Sequence, residues 1–101
     1  MADTVKIGYR SFSIEPFPNG FCDKLDGQTD FENLTVRLNA GSLPPVKSCT
    51  LLHEILHVIW DDASLKDEDG EERVITALAN GLSQVIRDNP DVIKFITQGL
   101  K

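Results

Sequence analysis

The sequence is short of basic residues and of long apolar runs, and each shortage excludes a class of protein. Its 101 residues include ten Lys or Arg against sixteen Asp or Glu, a net charge of −6. The basic residues are scattered, whereas proteins that bind nucleic acid gather them on one face. No apolar run approaches the roughly 18–20 residues that cross a bilayer, and no basic start leads into an apolar signal segment. We therefore expect a cytoplasmic protein that binds neither nucleic acid nor a membrane.

Cysteine is also scarce. Cys22 and Cys49 are the two in the chain, and neither belongs to a CxxC pair, so a disulfide framework is excluded and free thiols are expected. Cys49 lies four residues before His53 and could offer a thiolate to a metal there, although a small buried side chain is its more common role. The length predicts a single domain spanning residues 1–101.

The order of apolar and turn-forming residues predicts an α+β fold. Alternating side chains over residues 5–14 and 34–38 indicate two strands that pair antiparallel, within a small sheet of two or three strands. Residues 15–30 read as turn and loop, since they are rich in Pro, Gly, Asn and Asp. Helical spacing then predicts three helices: one over residues 49–62 capped by Ser48, one over 71–87, and one that begins at Pro90. The Phe, Ile and Val residues of the third helix are expected to belong to the core.

The most informative motif is HExxH in the first helix. His53 and His57 are the two histidines of the chain, and four residues apart they share one helical face, so both rings can bind one zinc ion. Glu54 follows the first histidine by one residue, at the position of a general base that activates water. The alternative is an amphipathic helix with two border histidines, but a carboxylate in so apolar a helix is costly unless it has a use.

A catalytic zinc usually has three protein ligands, so a third must be found. The extended HExxHxxGxxH motif is excluded because Trp60 and Ala63 occupy its Gly and His positions. The second helix offers Glu71 and Glu72 instead. Glu72 projects to the edge of the apolar stripe, where a cleft can form, and we favour it, with Glu71 as the second choice.

The acidic residues near the helix ends also have roles that need no metal. Asp69 as N-cap with Glu72 three residues later matches a capping box, so Glu72 could serve the helix end alone. Capping and solvation likewise account for Asp61 and Asp62. Asp61 is also a possible ligand, because it follows His57 by four residues on the same helical face. Its side chain would, however, have to reach back along the helix toward the metal.

Three segments resemble the small phage and prophage zincin-type proteins of bacteria. They are TLLHEILHVI at residues 50–59, ERVITALAN at 72–80 and Asp88-Asn89-Pro90. The resemblance is strong over the C-terminal half and loose over the N-terminal strands. It implies a minimal gluzincin-like core in a bacterial cytoplasm, with His53, His57 and Glu72 as zinc ligands and Glu54 as the catalytic base.

These features together predict a zinc metallopeptidase that hydrolyses a peptide or protein substrate. The strand at residues 34–38 could be the sheet edge along which an extended peptide lies. Four side chains remain open as stabilisers of the oxyanion, namely Tyr9, Arg10, Arg37 and Arg73. The alternative is a zinc-stabilised interaction protein without hydrolytic activity, since about a hundred residues leave little material for substrate pockets.

Overall fold

The computed structural model describes residues 3–18, 25–65 and 70–101. Four strands precede three helices along the chain: β1 Thr4–Ile7, β2 Arg10–Pro16, β3 Gly27–Asp30, β4 Thr35–Leu38, α1 Pro44–Asp62, α2 Glu71–Asp88 and α3 Pro90–Gly99. The predicted α+β class, a small sheet followed by three helices, is therefore confirmed.

The first predicted strand, residues 5–14, is in fact a hairpin. β1 pairs antiparallel with β2, with Ile7 opposite Arg10. Gly8 turns the chain with a φ of +60°, a left-handed conformation that glycine adopts without strain. Alternation continues on both sides of this tight turn, so periodicity alone does not separate the two strands.

The sheet has four strands in the order β1-β2-β4-β3. β3 lies in the stretch predicted to be loop, and it pairs antiparallel with β4. β4 therefore sits between β3 and β2, and its pairing with β2 is parallel, so the predicted antiparallel pairing of these two segments was wrong. The prediction that residues 34–38 form an edge was wrong for the same reason, and among the described strands the edges are β1 and β3.

Helix α1 begins at Pro44, five residues before the predicted start, with Leu43 as its N-cap. Pro44 and Pro45 occupy its first two positions, where a missing N–H is harmless because the first helical amides have no partner in the helix. Ser48 lies inside the helix and is not its cap. The proline pair is thus the first turn of the helix and not a break before it.

The core lies between the sheet and α1. Phe12 and Val36 from the sheet and Val58 from α1 are fully buried, with Ile7, Ile14 and Leu38 around them. The Arg10 guanidinium forms ion pairs with Asp61 and Asp62 at the end of α1, and so ties the hairpin to that helix. These contacts hold the HExxH helix rigidly on the sheet.

Helices α2 and α3 bury less than their sequences predicted. In α2 the buried side chains are Ile75 and Ala79, while Leu78 is 47% exposed. No side chain of α3 is buried, and Phe95 is 78% exposed, so the prediction that its Phe, Ile and Val belong to the core was wrong. Among the described elements, α3 packs only against α2. No helix in the described ranges is long and apolar enough to cross a membrane.

Candidate metal centre

Three side chains from α1 and α2 converge on one point. His53 Nε2 lies 2.8 Å from Glu72 Oε1, and His57 Nε2 lies 2.8 Å from Glu72 Oε2. The two Nε2 atoms are 3.1 Å apart. The helical repeat of α1 places both rings on one face, and the packing of α1 on α2 brings Glu72 opposite them. These three side chains form a group that could hold a metal ion.

The donor atoms fit a small divalent cation. Ligands at tetrahedral corners, each about 2.0–2.1 Å from zinc, are separated by about 3.3–3.4 Å. The separations here are 2.8–3.1 Å, with each histidine facing a different oxygen of Glu72, so the ion would require small rotations of these side chains. Two imidazoles and one carboxylate make a donor set typical of zinc and other first-row metals, whereas Mg²⁺ and Ca²⁺ prefer oxygen alone.

Glu71 contacts the other side of the His57 ring. Its Oε2 lies 2.7 Å from His57 Nδ1, so Nδ1–H can donate to the carboxylate and leave the Nε2 lone pair facing His53 and Glu72. Histidine ligands of metals are commonly oriented by a carboxylate in this way. The two glutamates that the sequence left as alternatives therefore hold different positions: Glu72 faces both histidines, and Glu71 orients one of them.

We expect Glu71→Ala to weaken metal binding without abolishing it. Loss of a partner that orients a ligand typically lowers metal affinity about 10–100-fold. Competition of the variant with a chromophoric zinc chelator measures this change. Glu15→Ala, at an exposed position of β2, is the control, and equal affinities for the two variants would remove Glu71 from the site.

Glu54 lies beside the histidines and is buried, with 8% of its surface exposed. Its Oε1 accepts a hydrogen bond of 2.7 Å from the Thr29 hydroxyl of β3. β3 approaches α1 closely because Gly27 has no side chain, and a Cβ there would lie 2.5 Å from Thr50 Cγ2. The hydrogen bond compensates for burial of the carboxylate and holds it in place.

His53, Glu54 and Glu72 line one open cleft of about 590 Å³, a volume typical of ligand sites. The cleft extends along α1 and α2 to Cys49 and Asn80, where Cys49 Sγ lies 3.3 Å from Asn80 Oδ1. No Lys or Arg of the described chain is among its lining residues. Cys49 is thus a free thiol that contacts Asn80, and it stands outside the group of three candidate ligands.

The remaining candidate ligands are engaged elsewhere. Asp61 accepts a hydrogen bond of 2.9 Å from Arg10, and this bond is the main cause that raises the pKa of Arg10 above its usual value. Asp62 pairs with the same guanidinium. Asp69 lies outside the described residues, and the N-cap of α2 is Gly70, with no side-chain capping bond. A capping role for Glu72 therefore has no partner among the described residues.

None of the four side chains considered for the oxyanion lines the cleft. Arg10 is paired with the end of α1, and Arg37 is paired with Asp30 on β3. Tyr9 is 84% exposed at the hairpin turn. Asn80, Thr76 and Thr50 are the neutral hydrogen-bonding side chains that line the cleft.

Sequence reasoning missed Thr29 and the orienting contact of Glu71. Thr29 lies in a four-residue strand within a stretch rich in turn residues, so periodicity carried no signal for it. The contact of Glu71 has only a general signal, because a metal-binding histidine commonly donates its other ring N–H to a carboxylate, which need not be a ligand itself. The sequence prediction considers Glu71 only as a ligand.

Comparisons of the chain with family models, with curated proteins and with solved structures found no match.

Proposed function

We propose that this protein is a zinc-dependent metallopeptidase. The observation that carries the proposal is the convergence of His53, His57 and Glu72 beside the buried Glu54, at an open cleft. A site that only stabilised the fold would need a fourth ligand and no base. Here the described residues offer three ligands, and a carboxylate stands beside them.

His53, His57 and Glu72 would hold the ion. When bound, zinc supplies Lewis-acid polarisation to the attacking water and to the scissile carbonyl. Glu54 takes the proton of that water as general base and passes it to the leaving amine. Thr29 keeps the Glu54 carboxylate in position through its hydrogen bond. Glu71 keeps the His57 ring in the orientation that turns Nε2 toward the ion.

The substrate is an extended peptide that lies along β3. This strand pairs with β4 on one side and has no described strand on the other. Asp26 and Gly27 at its start line the cleft. A peptide added to a free sheet edge is held by main-chain hydrogen bonds, and here it would be held next to Glu54. β3 thus takes the role that the sequence pattern assigned to residues 34–38.

One observation favours a second function, that of a zinc-stabilised interaction protein. None of the four side chains considered for the oxyanion lines the cleft. Metallopeptidases depend on such donors for much of their rate enhancement. A protein that only binds partners would have no need of them.

Cleavage of a defined peptide mixture by zinc-loaded protein tests the proposal. We expect fragments to accumulate with time, with cut sites read by mass spectrometry, and to disappear when zinc is chelated or when His53→Ala is used. Glu15→Gln should cleave as the parent does. Stoichiometric zinc without cleavage of any peptide would reject the peptidase and favour the interaction protein.

A further inference from the structure

The two C-terminal helices carry a wide apolar surface that nothing in the described chain covers. Five of its members are on α2, and the other four are on α3 and at its C-cap; each is at least 39% exposed: Val74, Leu78, Leu82, Val85, Ile86, Val92, Phe95, Ile96 and Leu100. We call this set the C-terminal apolar face. Scattered exposed apolar residues are normal in soluble proteins, but nine large apolar side chains exposed on two consecutive helices indicate an interaction surface.

On α2 part of the exposed set points away from the side that packs on the rest of the chain. At about 100° per residue, Val74, Leu78 and Val85 lie within about 40° of one another, and the buried Ile75 and Ala79 point about 100° away from them. The other two members on α2, Leu82 and Ile86, lie toward the buried side, and Ile86 lines a groove with residues of α1. The direction of Val74, Leu78 and Val85 therefore has no partner in the described structure.

The accessible surface of the whole chain is larger than that of a compact protein of the same mass. Its accessible area is 7296 Å², whereas a compact protein of 11.2 kDa exposes about 5,700 Å². The excess of roughly 1,600 Å² is about twice the 800 Å² that one partner gives to a stable interface. The radius of gyration of 14.2 Å likewise exceeds the value of about 13 Å for a chain of this length.

The charge distribution favours a second copy as that partner. Residues 70–101 carry four acidic and four basic side chains and are neutral, so the net charge of −6 resides in residues 1–69. Two copies that meet elsewhere would bring like charges together. Two copies that meet through the C-terminal apolar face would avoid this repulsion. A two-fold axis would place the C-terminal apolar face of one copy against the same face of the other.

We propose that the protein forms a symmetric homodimer through the C-terminal apolar face. α2 then packs on both sides, against α1 of its own chain and against the helices of its partner. The metal cleft faces α1 and stays open, since its α2 side chains are Glu72, Thr76 and Asn80. Dimer formation is thus independent of metal.

Sedimentation of the full chain over a wide concentration range tests the dimer. We expect a mass twice the 11.2 kDa of one chain, also for His53→Ala. Leu78→Glu and Phe95→Glu should each raise the dimer dissociation constant by at least about 30-fold, because each leaves an unpaired charge in the interface. Lys94→Gln makes the charge more negative by the same one unit at an exposed position on the other side of α3, and it should leave the dimer intact.

Two results would overturn the dimer. One is a parent protein that is monomeric at every concentration. The other is dissociation that neither glutamate substitution affects, which would place the contact elsewhere. Phe95 is 78% exposed, so Phe95→Glu should keep the helical circular dichroism of the parent even if Leu78→Glu does not.

Discussion

Glu72→Ala should lower the affinity for zinc by more than about 100-fold, beyond the roughly 10–100-fold typical of a lost orienting partner. The two oxygens of Glu72 face the two histidines, each at 2.8 Å, so its removal takes away one of the three side chains proposed to hold the ion. Elemental mass spectrometry after gel filtration should find about one zinc per chain in the parent and almost none in the variant.

Glu71→Ala is the matched variant for Glu72→Ala. Glu71→Ala removes the same charge from the same helical turn. This variant should nevertheless keep more zinc than Glu72→Ala, because the Glu71 carboxylate contacts only Nδ1 of His57. Glu72 is 69% exposed at its side chain, so the fold should tolerate its loss. Retention of zinc by Glu72→Ala with loss from Glu71→Ala would exchange the two roles.

Glu54→Gln should abolish turnover while the protein keeps its metal. The amide has the size of the carboxylate and can still accept the Thr29 hydrogen bond, so packing is preserved. It cannot take a proton from water, and loss of a general base typically costs about 100–10,000-fold in rate. The ratio kcat/KM for a cleaved peptide and zinc content, measured on the same preparation, separate the two effects.

Thr29→Val provides the matched comparison on the other side of that hydrogen bond. Valine keeps the shape of threonine and removes the hydroxyl that holds Glu54. The substitution should lower kcat/KM less than Glu54→Gln does. Hydrogen bonds to charged groups contribute about 1.5–3 kcal/mol, or roughly 10–100-fold. Unchanged turnover in Glu54→Gln with zinc bound would show that Glu54 is not the base.

Much of the candidate site follows from local sequence. The helical repeat places His53, Glu54 and His57 on adjoining positions of α1 before any tertiary contact forms. Periodicity and turn residues predict the three helices and the α+β class. They also predict that α2 begins at Glu71, where it does begin. These features depend on neighbours within a few residues, which is the range that a sequence pattern reports.

Other features were decided by contacts between distant residues. β4 enters between β2 and β3, because strand neighbours are set by packing and not by order along the chain. The same packing brings Thr29 to Glu54 across a gap of 25 residues. It also separates Glu72 from Glu71, since only the approach of α2 to α1 determines which carboxylate faces both rings.

The extent of burial was the least predictable property. The periodicity of α2 and α3 predicts that each helix buries one apolar side in the core, yet Leu78 and Phe95 are exposed. Amphipathic spacing shows that a helix has an apolar side, but not whether the chain itself supplies enough surface to cover it. The sequence by itself determined the helices and the spacing of the two histidines within α1. The tertiary structure alone decided which carboxylate faces both histidines and which apolar side remains open, because both depend on how separate elements pack.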